Sequence, residues 1–368
     1  MFNNVYKNKN VFITGHTGFK GTWLTLWLKQ LGANVTGYSS HLPSSPCLFE
    51  AISIENDIKH IIGDVRDQET LRAAITETNP DIVFHLAANA IVRDCYDNPV
   101  EAFETNVLGT VNLLNIVKDS PGIKAAVFIT SDKCYENIEW EYGYRENDQL
   151  GGKDPYSATK ACAEIAASTF MRSYFSAPKQ TKIATARAGN VIGGGDWANH
   201  RLIPDCFRSW SENESVEIRS PNATRPWQHV LEPLSGYLTL GQNLLTNHTT
   251  HLESFNFGPQ TNFDANVLTL LKEMKKYWSN VNWDVDESKV GSKQEAGLLK
   301  LCVDKALFQL DWQANLDFYK TVEMTTKWYL EYYQGNKENI REFTKKQINE
   351  YENIATEKNL IWTRKNGN

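Results

Sequence analysis

The sequence lacks several features that would assign it to a common protein class. Lys and Arg number 38 against 44 Asp and Glu, and the net charge of −6 argues against a general nucleic-acid binder, whose surface would be basic. No stretch approaches about 18 consecutive apolar residues, so we expect no membrane span. The first ten residues, MFNNVYKNKN, contain no apolar signal-peptide core. Together these absences predict a cytoplasmic protein.

Cysteine is scarce and scattered. The six cysteines stand at positions 47, 95, 134, 162, 206 and 302, and no two of them form a CxxC pair. This spacing argues against zinc and redox motifs, and we predict no metal site. Isolated cysteines are typical of reduced, mostly buried thiols in a cytosolic protein.

The first half of the sequence alternates short apolar runs with helical patterns. Parallel strands that are buried on both faces are near-continuous apolar runs, and helices cover them on either side. The sequence therefore predicts an α/β fold, a Rossmann-type doubly wound parallel sheet with a smaller, C-terminal substrate-binding lobe. Helical patterns cover residues 21–32 and 99–120, and another helix begins near residue 155. The predicted strands are 10–14, 34–38, 58–62, 81–87, 125–130 and 182–188.

A glycine-rich turn follows the first predicted strand. VFITGHTGFKG places Gly15, Gly18 and Gly21 between that strand and the first helix. Glycine permits a tight turn and lets backbone N–H groups approach a pyrophosphate at the positive end of a helix. The alternative is a glycine-rich turn without a ligand, but the strand–turn–helix context favours a dinucleotide site.

The spacing of these glycines, GxxGxxG, resembles the extended branch of the short-chain dehydrogenase/reductase superfamily. That resemblance places Asp64 against the adenine, and the backbone of HLAA (85–88) against the adenine ribose. The cofactor-binding residues that it implies are Gly15, His16, Thr17, Gly18, Phe19, Lys20, Gly21, Asp64, Val65, Leu86, Ala87, Ala88, Asn106, Tyr156 and Lys160.

The end of the second predicted strand departs from the usual NAD pattern. An NAD enzyme commonly carries an acidic residue there, which holds the ribose 2′-hydroxyl. Here the segment reads TGYSSHLP, with neither an acid for the hydroxyl nor an arginine for a 2′-phosphate. At this point the residues leave NAD and NADP open.

The sequence also divides into regions. Glycine-rich and proline-interrupted segments begin at about residue 189 and predict a loop-rich lobe. We assign 1–188, rejoined by about 228–258, to a dinucleotide-binding domain, and 189–227 with 259–334 to the substrate lobe. Residues 335–368 are polar with weak helical periodicity, which predicts a solvated C-terminal helix or tail.

The segment DPYSATK contains Tyr156 and Lys160 in a YxxxK arrangement. Asp154 is a plausible N-cap and Pro155 suits the first helical position, so the two side chains share one helix face. A nearby ammonium and a positively charged nicotinamide both favour the phenolate, which lowers the pKa of the tyrosine. We therefore predict that Tyr156 takes a hydroxyl proton while hydride leaves the same carbon.

An unusual set of polar residues ends the fifth predicted strand. FITSDKCYEN delivers Ser131, Asp132 and Lys133 in succession. Ser131 is expected to hydrogen-bond the reacting oxygen. A ketone acidifies the neighbouring C–H bond, so a neutral Lys133 could take that proton and a protonated Asp132 could give one to a leaving hydroxyl. The alternative is a local ion pair between Asp132 and Lys133.

These motifs together resemble the CDP-glucose 4,6-dehydratases. The resemblance rests on ITGHTGFKGTWL, TSDKCYEN, GYRENDQLGGKDPYSATKACAE, TARAGNVIGGGDWA, RLIPD and RPWQHVLEPLSGYL, and covers residues 5–330. It implies NAD as cofactor and CDP-glucose as substrate. Tyr156 would deprotonate the C4 hydroxyl, Lys133 would take the C5 proton and Asp132 would protonate the departing C6 hydroxyl. The implied product, CDP-4-keto-6-deoxyglucose, would lead to a dideoxyhexose of a bacterial surface polysaccharide.

The same resemblance assigns substrate contacts and an assembly. Arg225 suits a diphosphate, because its planar fork matches two phosphate oxygens. A homodimer or homotetramer would form through the helices that begin near residues 99 and 155. The substrate-binding residues that it implies are Ser131, Asn190, Arg201, Leu202 and Arg225.

Two rival functions remain open from the residues. A nucleotide-sugar 4-epimerase, or a dehydratase for another nucleotide-hexose, would share the fold and the tyrosine–lysine pair. An epimerase has no need for an acid and a base at 132 and 133. A catalytically inactive dinucleotide sensor is disfavoured, because Tyr156 and Lys160 are both present.

Overall fold

The computed structural model describes residues 1–177, 180–218, 220–247, 249–259, 265–285 and 298–364. Parts of the predicted C-terminal regions, namely 260–264, 286–297 and 365–368, lie outside these described residues.

A seven-stranded parallel sheet forms the centre of the fold. Its spatial order is β11-β6-β5-β4-β1-β2-β3, so the strand order reverses between β1 and β4. This topology confirms the predicted doubly wound α/β fold. The strands of the sheet are β1 Asn10–Thr14, β2 Asn34–Ser39, β3 Lys59–Ile62, β4 Ile82–His85, β5 Ala125–Ile129, β6 Lys182–Ala188 and β11 Ser254–Phe257.

Short strands and helices complete the fold. Three two-stranded sheets pair β10 with β7, β12 with β9 and β13 with β8. Their strands are β7 Val191–Ile192, β8 Val216–Ile218, β9 Thr224–Arg225, β10 Gln228–His229, β12 Ala265–Asn266 and β13 Trp283–Val285. The α-helices are α1 Phe19–Gln30, α2 Leu48–Ala51, α3 Gln68–Thr78, α4 Val92–Asp97, α5 Pro99–Phe103, α6 Gly109–Lys118, α7 Pro155–Tyr174, α8 Leu202–Ser211, α9 Leu231–Thr246, α10 Val267–Met274, α11 Asp304–Leu310, α12 Phe318–Gln334 and α13 Ile340–Glu357. A π-helical segment, Glu104–Leu108, joins α5 to α6, and 3-10 turns occupy Phe2–Asn4, Ile54–Asp57, Asp132–Cys134, Lys337–Asn339 and Ile361–Thr363.

Both faces of the sheet are covered because its strands are apolar on both sides. Phe12 and Phe128 pack with Leu113 of α6, whereas Ile13 of the same first strand packs on the opposite face with Trp23 of α1. Successive side chains of a strand point to opposite faces, so each apolar run supplies two cores. The second of these cores continues into the C-terminal half of the chain. The division into two lobes therefore stays a prediction.

The C-terminal segment differs from its sequence-based prediction. A helix does form there, but it is not solvated on all sides, because Ile348 and Tyr351 are fully buried and Trp362 just beyond it is 2% exposed. The phenol of Tyr351 donates a hydrogen bond to Glu232 of α9 at 2.9 Å. The Trp362 ring stacks on Phe2 with ring centroids 5.1 Å apart. The expected tail is part of the core.

Two other expectations concern the chain as a whole. None of the helices in the described ranges has the length and apolar composition needed to cross a bilayer. All six cysteines are free thiols, and four of them are buried, as their isolated spacing predicted. The six cysteines thus form no disulfide bond with one another.

Candidate active site

The candidate site lies at the carboxyl edge of the central sheet. The strand order reverses between β1 and β4, and the loops that follow these two strands run in opposite directions. Such a reversal leaves a crevice in which ligands of doubly wound folds bind. The glycine-rich turn after β1 and the Ser131–Lys133 segment after β5 both open onto this edge.

The glycine turn fits a dinucleotide cofactor. Gly15 has φ +74°, and a Cβ atom there would lie 2.6 Å from the backbone nitrogen of Ala87, so the turn packs directly against the backbone of the loop that follows β4. A Cβ atom at Gly21 would lie 2.1 Å from the carbonyl oxygen of Gly15. Gly18 is the N-cap of α1 and presents the first amides of that helix. Only glycine permits this close packing, which leaves backbone N–H groups available to a pyrophosphate.

The end of β2 carries a chain of hydrogen-bonded side chains in place of a carboxylate. Ser39 Oγ lies 2.9 Å from His16 Nδ1, and His16 Nε2 lies 2.7 Å from His60 Nδ1. Burial and the neighbouring His60 lower the pKa of His16 to about 3, so its ring is uncharged. Thr17 donates from its hydroxyl to the His41 carbonyl at 2.8 Å. Neither Ser39, at the end of β2, nor His16, which is hydrogen-bonded to it, therefore carries a charge.

The predicted adenine contact, Asp64, is already engaged by its own chain. Its carboxylate accepts two hydrogen bonds from the Arg66 guanidinium, at 2.9 and 2.6 Å, and one from the Arg66 backbone at 2.8 Å. Val65 is buried beside Gly109, where a Cβ atom would lie 2.6 Å from the valine. The role of both residues in cofactor binding stays a prediction.

Asn106 joins the loop after β4 to α7. It lies in the π-helical segment, a local geometry that is frequent at functional sites. Its side chain accepts from the Asn89 backbone N–H at 2.7 Å and donates to Thr159 at 2.9 Å. Leu86, Ala87 and Ala88 of this loop are half-buried. Asn106 therefore links the loop after β4, which is predicted to contact the adenine ribose, to the helix that carries Tyr156 and Lys160.

Helix α7 presents the YxxxK pair as the sequence predicted. Asp154 caps it by accepting from the Ser157 N–H at 2.9 Å, and Pro155 occupies the first helical position. Tyr156 is 9% exposed and Lys160 is 7% exposed. The Lys160 ammonium lies 6.0 Å from the centroid of the Tyr156 ring.

The pKa of Tyr156 differs in direction from the sequence-based expectation. Burial raises it to about 12, and the nearby Ser131 hydroxyl offsets this only in part. Burial also lowers the pKa of Lys160 to about 8, which weakens the lysine as a stable positive charge beside the phenol. The protein alone therefore holds Tyr156 protonated. The predicted lowering of the Tyr156 pKa depended also on the positive charge of a nicotinamide ring.

Ser131 and Asp132 are buried together after β5. The Ser131 hydroxyl donates to Asp132 Oδ1 at 3.0 Å and accepts from the Lys133 N–H at 3.3 Å. Burial raises the pKa of Asp132, although Lys133, Ser131 and Lys20 oppose the change. Asp132 is 5% exposed, whereas Lys133 is half-buried. In the part of the chain that the structure describes, no ion pair joins the two, so the structure does not favour the alternative of a local salt bridge.

Two further cations approach the site. Burial lowers the pKa of Lys20 to about 8, and the charges that act on it after burial are those of Arg201, Asp132 and Lys160. Lys20 therefore faces the reaction centre from the glycine turn. The Arg201 guanidinium donates to Asp196 at 2.9 Å and also lies close enough to Tyr156 for their charges to interact. The structure thus brings two predicted ligand-binding cations together beside the catalytic candidates.

The other predicted substrate contacts lie on three different segments of the chain. Asn190 is exposed directly after β6, and Leu202 is the first residue of α8. Arg225 lies in β9, where its guanidinium donates to the Thr224 carbonyl at 2.9 Å. No contact in the structure tests a role in substrate binding for any of the three.

Sequence reasoning missed two groups of buried polar residues beneath the site. Glu164 of α7 and Arg187 of β6 form an ion pair of 2.6 Å at which both side chains are almost fully buried. Gln228 and Tyr237, on β10 and α9, have buried polar atoms with no hydrogen-bond partner among the described residues. The segment ACAEIAAS (161–168), on the same helix as YxxxK, contains Glu164 as its single charged residue, so a buried acid could have been predicted there. Its partner could not be read from spacing.

Comparison with known proteins identifies the family. Residues 11–258 match the NAD dependent epimerase/dehydratase family. The chain is 46% identical over 358 residues to the CDP-glucose 4,6-dehydratase of Salmonella typhimurium, and the match covers 96% of this chain and 99% of the relative. A UDP-glucose 4-epimerase of Mycoplasma pneumoniae is 26% identical over 54% of this chain and 61% of its own length.

Solved structures show the same fold. An epimerase of Methanothermobacter thermautotrophicus aligns with a TM-score of 0.76 at 24% identity, over 93% of this chain and 96% of its own. The dTDP-glucose 4,6-dehydratase of Bacillus anthracis in complex with NAD aligns with a TM-score of 0.72 at 20% identity, over 88% and 97%. The NAD cofactor expected from the resemblance is confirmed at the level of the family. This chain belongs to the NAD dependent epimerase/dehydratase family.

Proposed function

We propose that this protein is a CDP-glucose 4,6-dehydratase, a hydro-lyase that converts CDP-glucose to CDP-4-keto-6-deoxyglucose and water. The observation that carries the proposal is the buried acid Asp132, hydrogen-bonded to Ser131 and close to Tyr156. Simple oxidation or epimerisation at C4 requires no such acid. The similarity to the Salmonella dehydratase over nearly the whole of both chains supports the same substrate.

The first proton transfer belongs to Tyr156. Because burial raises the pKa of Tyr156, its phenol must first lose its own proton; as the phenolate it accepts a hydrogen bond from the C4 hydroxyl and takes that proton as the C4–H bond breaks, while Ser131 hydrogen-bonds the same oxygen. The Lys160 ammonium, 6.0 Å from the centroid of the Tyr156 ring, favours the phenolate that takes this proton. Bound NAD supplies the acceptor for hydride from C4 and later its donor to C6. The glycine turn, Lys20 and the backbone of the loop at Ala87 would hold the NAD.

The next transfers belong to Lys133 and Asp132. A C4 ketone acidifies the C5–H bond, and Lys133, acting as a neutral amine, takes that proton. Asp132 gives its own proton to the C6 oxygen, which leaves as water. A carboxyl whose pKa is raised by burial is suited to this role, because the raised pKa favours the protonated form, which is the form that can donate. Reprotonation of C5 by Lys133 completes the proton balance at the sugar.

The experiment that tests the function is a substrate panel. CDP-, dTDP-, GDP- and UDP-glucose are incubated with the protein and NAD, and the alkali-induced absorbance of a 4-keto sugar is followed. Conversion of CDP-glucose in preference to the others supports the proposal. Turnover to a C4 epimer without loss of water would instead indicate an epimerase.

A matched pair of variants separates the steps. Asp132→Asn removes the acid and retains the shape, so we expect C4 oxidation to persist while water loss falls about 100-fold or more. Tyr156→Phe should abolish both steps. Equal loss of C4 oxidation in the two variants would contradict the assignment of Asp132 to the C6 oxygen.

We further propose a homodimer or homotetramer formed through α5 to α7. Apolar side chains are exposed on these helices, with Val100 71%, Leu108 48% and Ile165 53% exposed. An exposed apolar surface of this kind is typical of subunit contacts. Light scattering of the wild type and of Ile165→Glu tests this, and an unchanged mass in the variant would contradict it.

Two wider assignments follow from the same proposal. Six unpaired cysteines, most of them buried, suit a reducing cytoplasm. A 4-keto-6-deoxy sugar nucleotide is a precursor for dideoxyhexoses of bacterial lipopolysaccharide, which is the route that we propose for the product. Loss of dideoxyhexose from the surface polysaccharide of a deletion strain would test it.

A further inference from the structure

A buried amide beside the candidate acid has no partner. Gln228 is 1% exposed, and neither Oε1 nor Nε2 has a hydrogen-bond partner within the described ranges. Burying an amide without hydrogen bonds is destabilising, and native proteins do so rarely. An amide of this kind can take a ligand group as its hydrogen-bond partner. The location of Gln228 indicates which group that is.

Gly189 connects Gln228 to Asp132. A Cβ atom at Gly189 would lie 2.9 Å from Asp132 Oδ2 and 4.0 Å from Gln228 Nε2, so both groups border the space that the missing side chain leaves. Asp132 Oδ1 accepts from Ser131, while Oδ2 faces this space. Gln228 is held there because β10 pairs in parallel with β7, which begins two residues after Gly189, and Gln228 lies opposite Val191 in that pair. We call the space between these three residues the Gly189 recess.

A second buried group without a hydrogen-bond partner among the described residues lies near Asp132. Tyr237 of α9 is fully buried, and its hydroxyl has no hydrogen-bond partner among the residues described. Burial raises the pKa of this phenol, and the next largest causes are the nearby Tyr156 and Asp132. β10 and α9 therefore each contribute one buried polar side chain, without a partner among the described residues, close to Asp132.

We propose that Gln228 binds the C6 hydroxyl of the hexose in the Gly189 recess and holds it against Asp132. The inference rests on the proposed dehydration. A hydroxyl oxygen in the recess can accept a hydrogen bond from Gln228 Nε2 while it receives the proton of Asp132. Gln228 is thus a substrate-binding residue that distinguishes a 6-hydroxy sugar from a 6-deoxy sugar.

The elimination remains balanced with Gln228 in this role. The electron pair of the C5–H bond forms the C5–C6 double bond, and its proton goes to Lys133. The C6–O bond breaks with its pair on oxygen, and Asp132 supplies the proton that makes the leaving group water. Gln228 donates a hydrogen bond to that oxygen throughout and transfers no proton. A donor aimed at the oxygen while negative charge develops on it stabilises the transition state.

The test compares two ligands that differ only at C6. Binding of CDP-glucose and CDP-6-deoxyglucose is measured by calorimetry with NAD present, in a Tyr156→Phe background that prevents turnover. Gln228→Met retains the length of the side chain and removes the amide. We expect it to weaken CDP-glucose binding about tenfold and to leave CDP-6-deoxyglucose binding within about twofold, as loss of one hydrogen bond to the missing hydroxyl requires.

Turnover and stability give independent readouts. In the otherwise wild-type protein, Gln228→Met should lower the rate of water loss about tenfold to a hundredfold. The melting temperature should be unchanged or higher, because an unpartnered buried amide has been removed. Should this variant fail to fold, Gln228→Asn withdraws the same amide by one methylene and is expected to lose the same discrimination.

A second buried glutamine provides the control. Gln347 of α13 is 3% exposed, its Oε1 lacks a partner within the described ranges, and it donates to the Met324 carbonyl at 2.7 Å. Gln347→Met should leave the affinity for both ligands unchanged. The proposal is overturned if Gln228→Met weakens both ligands equally, as a purely structural role or a bound water would predict, or weakens neither. Failure of the wild type to convert CDP-glucose would refute the dehydratase function instead, and the binding comparison can be read even then.

Discussion

The buried ion pair between Glu164 and Arg187 supports the catalytic elements from below, and its removal should be severe. Glu164 follows Lys160 by one turn of α7, and its carboxylate accepts from Thr130, the residue before Ser131, at 2.5 Å. It also accepts from Thr185 at 3.0 Å. Burial alone would raise the pKa of Glu164, but Arg187 and these hydrogen bonds outweigh it and lower the pKa. The carboxylate is therefore charged and fully partnered.

The expected loss follows from the burial of both charges. The side chains of Glu164 and Arg187 are 1% and 4% exposed. Glu164→Gln leaves the guanidinium charged and uncompensated, a change that typically costs about 3–5 kcal/mol of unfolding free energy. That is a large part of the roughly 5–15 kcal/mol by which most domains are stable. We expect this loss in urea unfolding, with a fall in turnover because α7 is released from β5.

An exposed ion pair of the same length provides the control. Glu253 pairs with Lys305 at 2.6 Å, but its side chain is 45% exposed. Glu253→Gln should cost less than about 1 kcal/mol, since solvent screens the pair. Equal losses in the two variants would refute the argument from burial. The double variant Glu164→Met with Arg187→Met should recover part of the loss, because no isolated charge remains.

Two further predictions concern the cofactor turn and the C-terminal anchor. Gly15→Ala should weaken NAD binding about tenfold or more, measured by fluorescence titration, because the left-handed backbone and the 2.6 Å approach to Ala87 both exclude a Cβ atom. Gly32→Ala is its control: φ is +81°, but the nearest atom is 3.4 Å away, so stability should fall by roughly 1 kcal/mol with NAD affinity retained. Burial raises the pKa of Glu232 to about 7, although hydrogen bonds from Asn315, Leu316 and Tyr351 oppose it. A raised acid pKa means stability that is present below the unfolded value of about 4.5 and is lost as pH rises towards 7. Relative to Glu232→Gln, the wild type should therefore lose roughly 3 kcal/mol of unfolding free energy between pH 4.5 and 7, and parallel curves would contradict this.

The sheet was predictable because each of its strands carries its own signal. The apolar runs at 10–14, 34–38 and 125–130 became β1, β2 and β5 with ends that differ by at most one residue. Strands buried on both faces need apolar side chains at nearly every position, so local composition is sufficient. The glycine turn and the YxxxK helix were predictable for a similar reason, since a tight turn and a helix face are both local.

The C-terminal helix was predicted wrongly as solvated because charge masked its periodicity. Its buried positions include Ile340, Thr344, Ile348, Tyr351 and Ala355, which recur at intervals of three and four residues. Polar residues fill the remaining positions, so average composition indicated a tail. A count of the residues that recur at intervals of three and four would have revealed this buried helix face.

The partners across the site could not be predicted from the sequence. Glu164 and Arg187 are 23 residues apart, and Gly189 meets Gln228 only because β7 and β10 pair. No local pattern encodes such contacts. Nor can a sequence show that Gln228 is without a partner, since that requires the positions of all its neighbours.

Burial is the common cause of the protonation states in the candidate site. It raises the pKa of Asp132 and Tyr156 and lowers that of Lys160, in each case as the largest influence. Each shift favours the neutral form, because a charge loses the solvation of bulk water. An elimination needs an acid that still holds its proton when the C6–O bond breaks, and an exposed aspartate at neutral pH would have lost it. Gln228 shares this buried environment, so the burial that raises the pKa of Asp132 also surrounds an amide that a single sugar hydroxyl can complete.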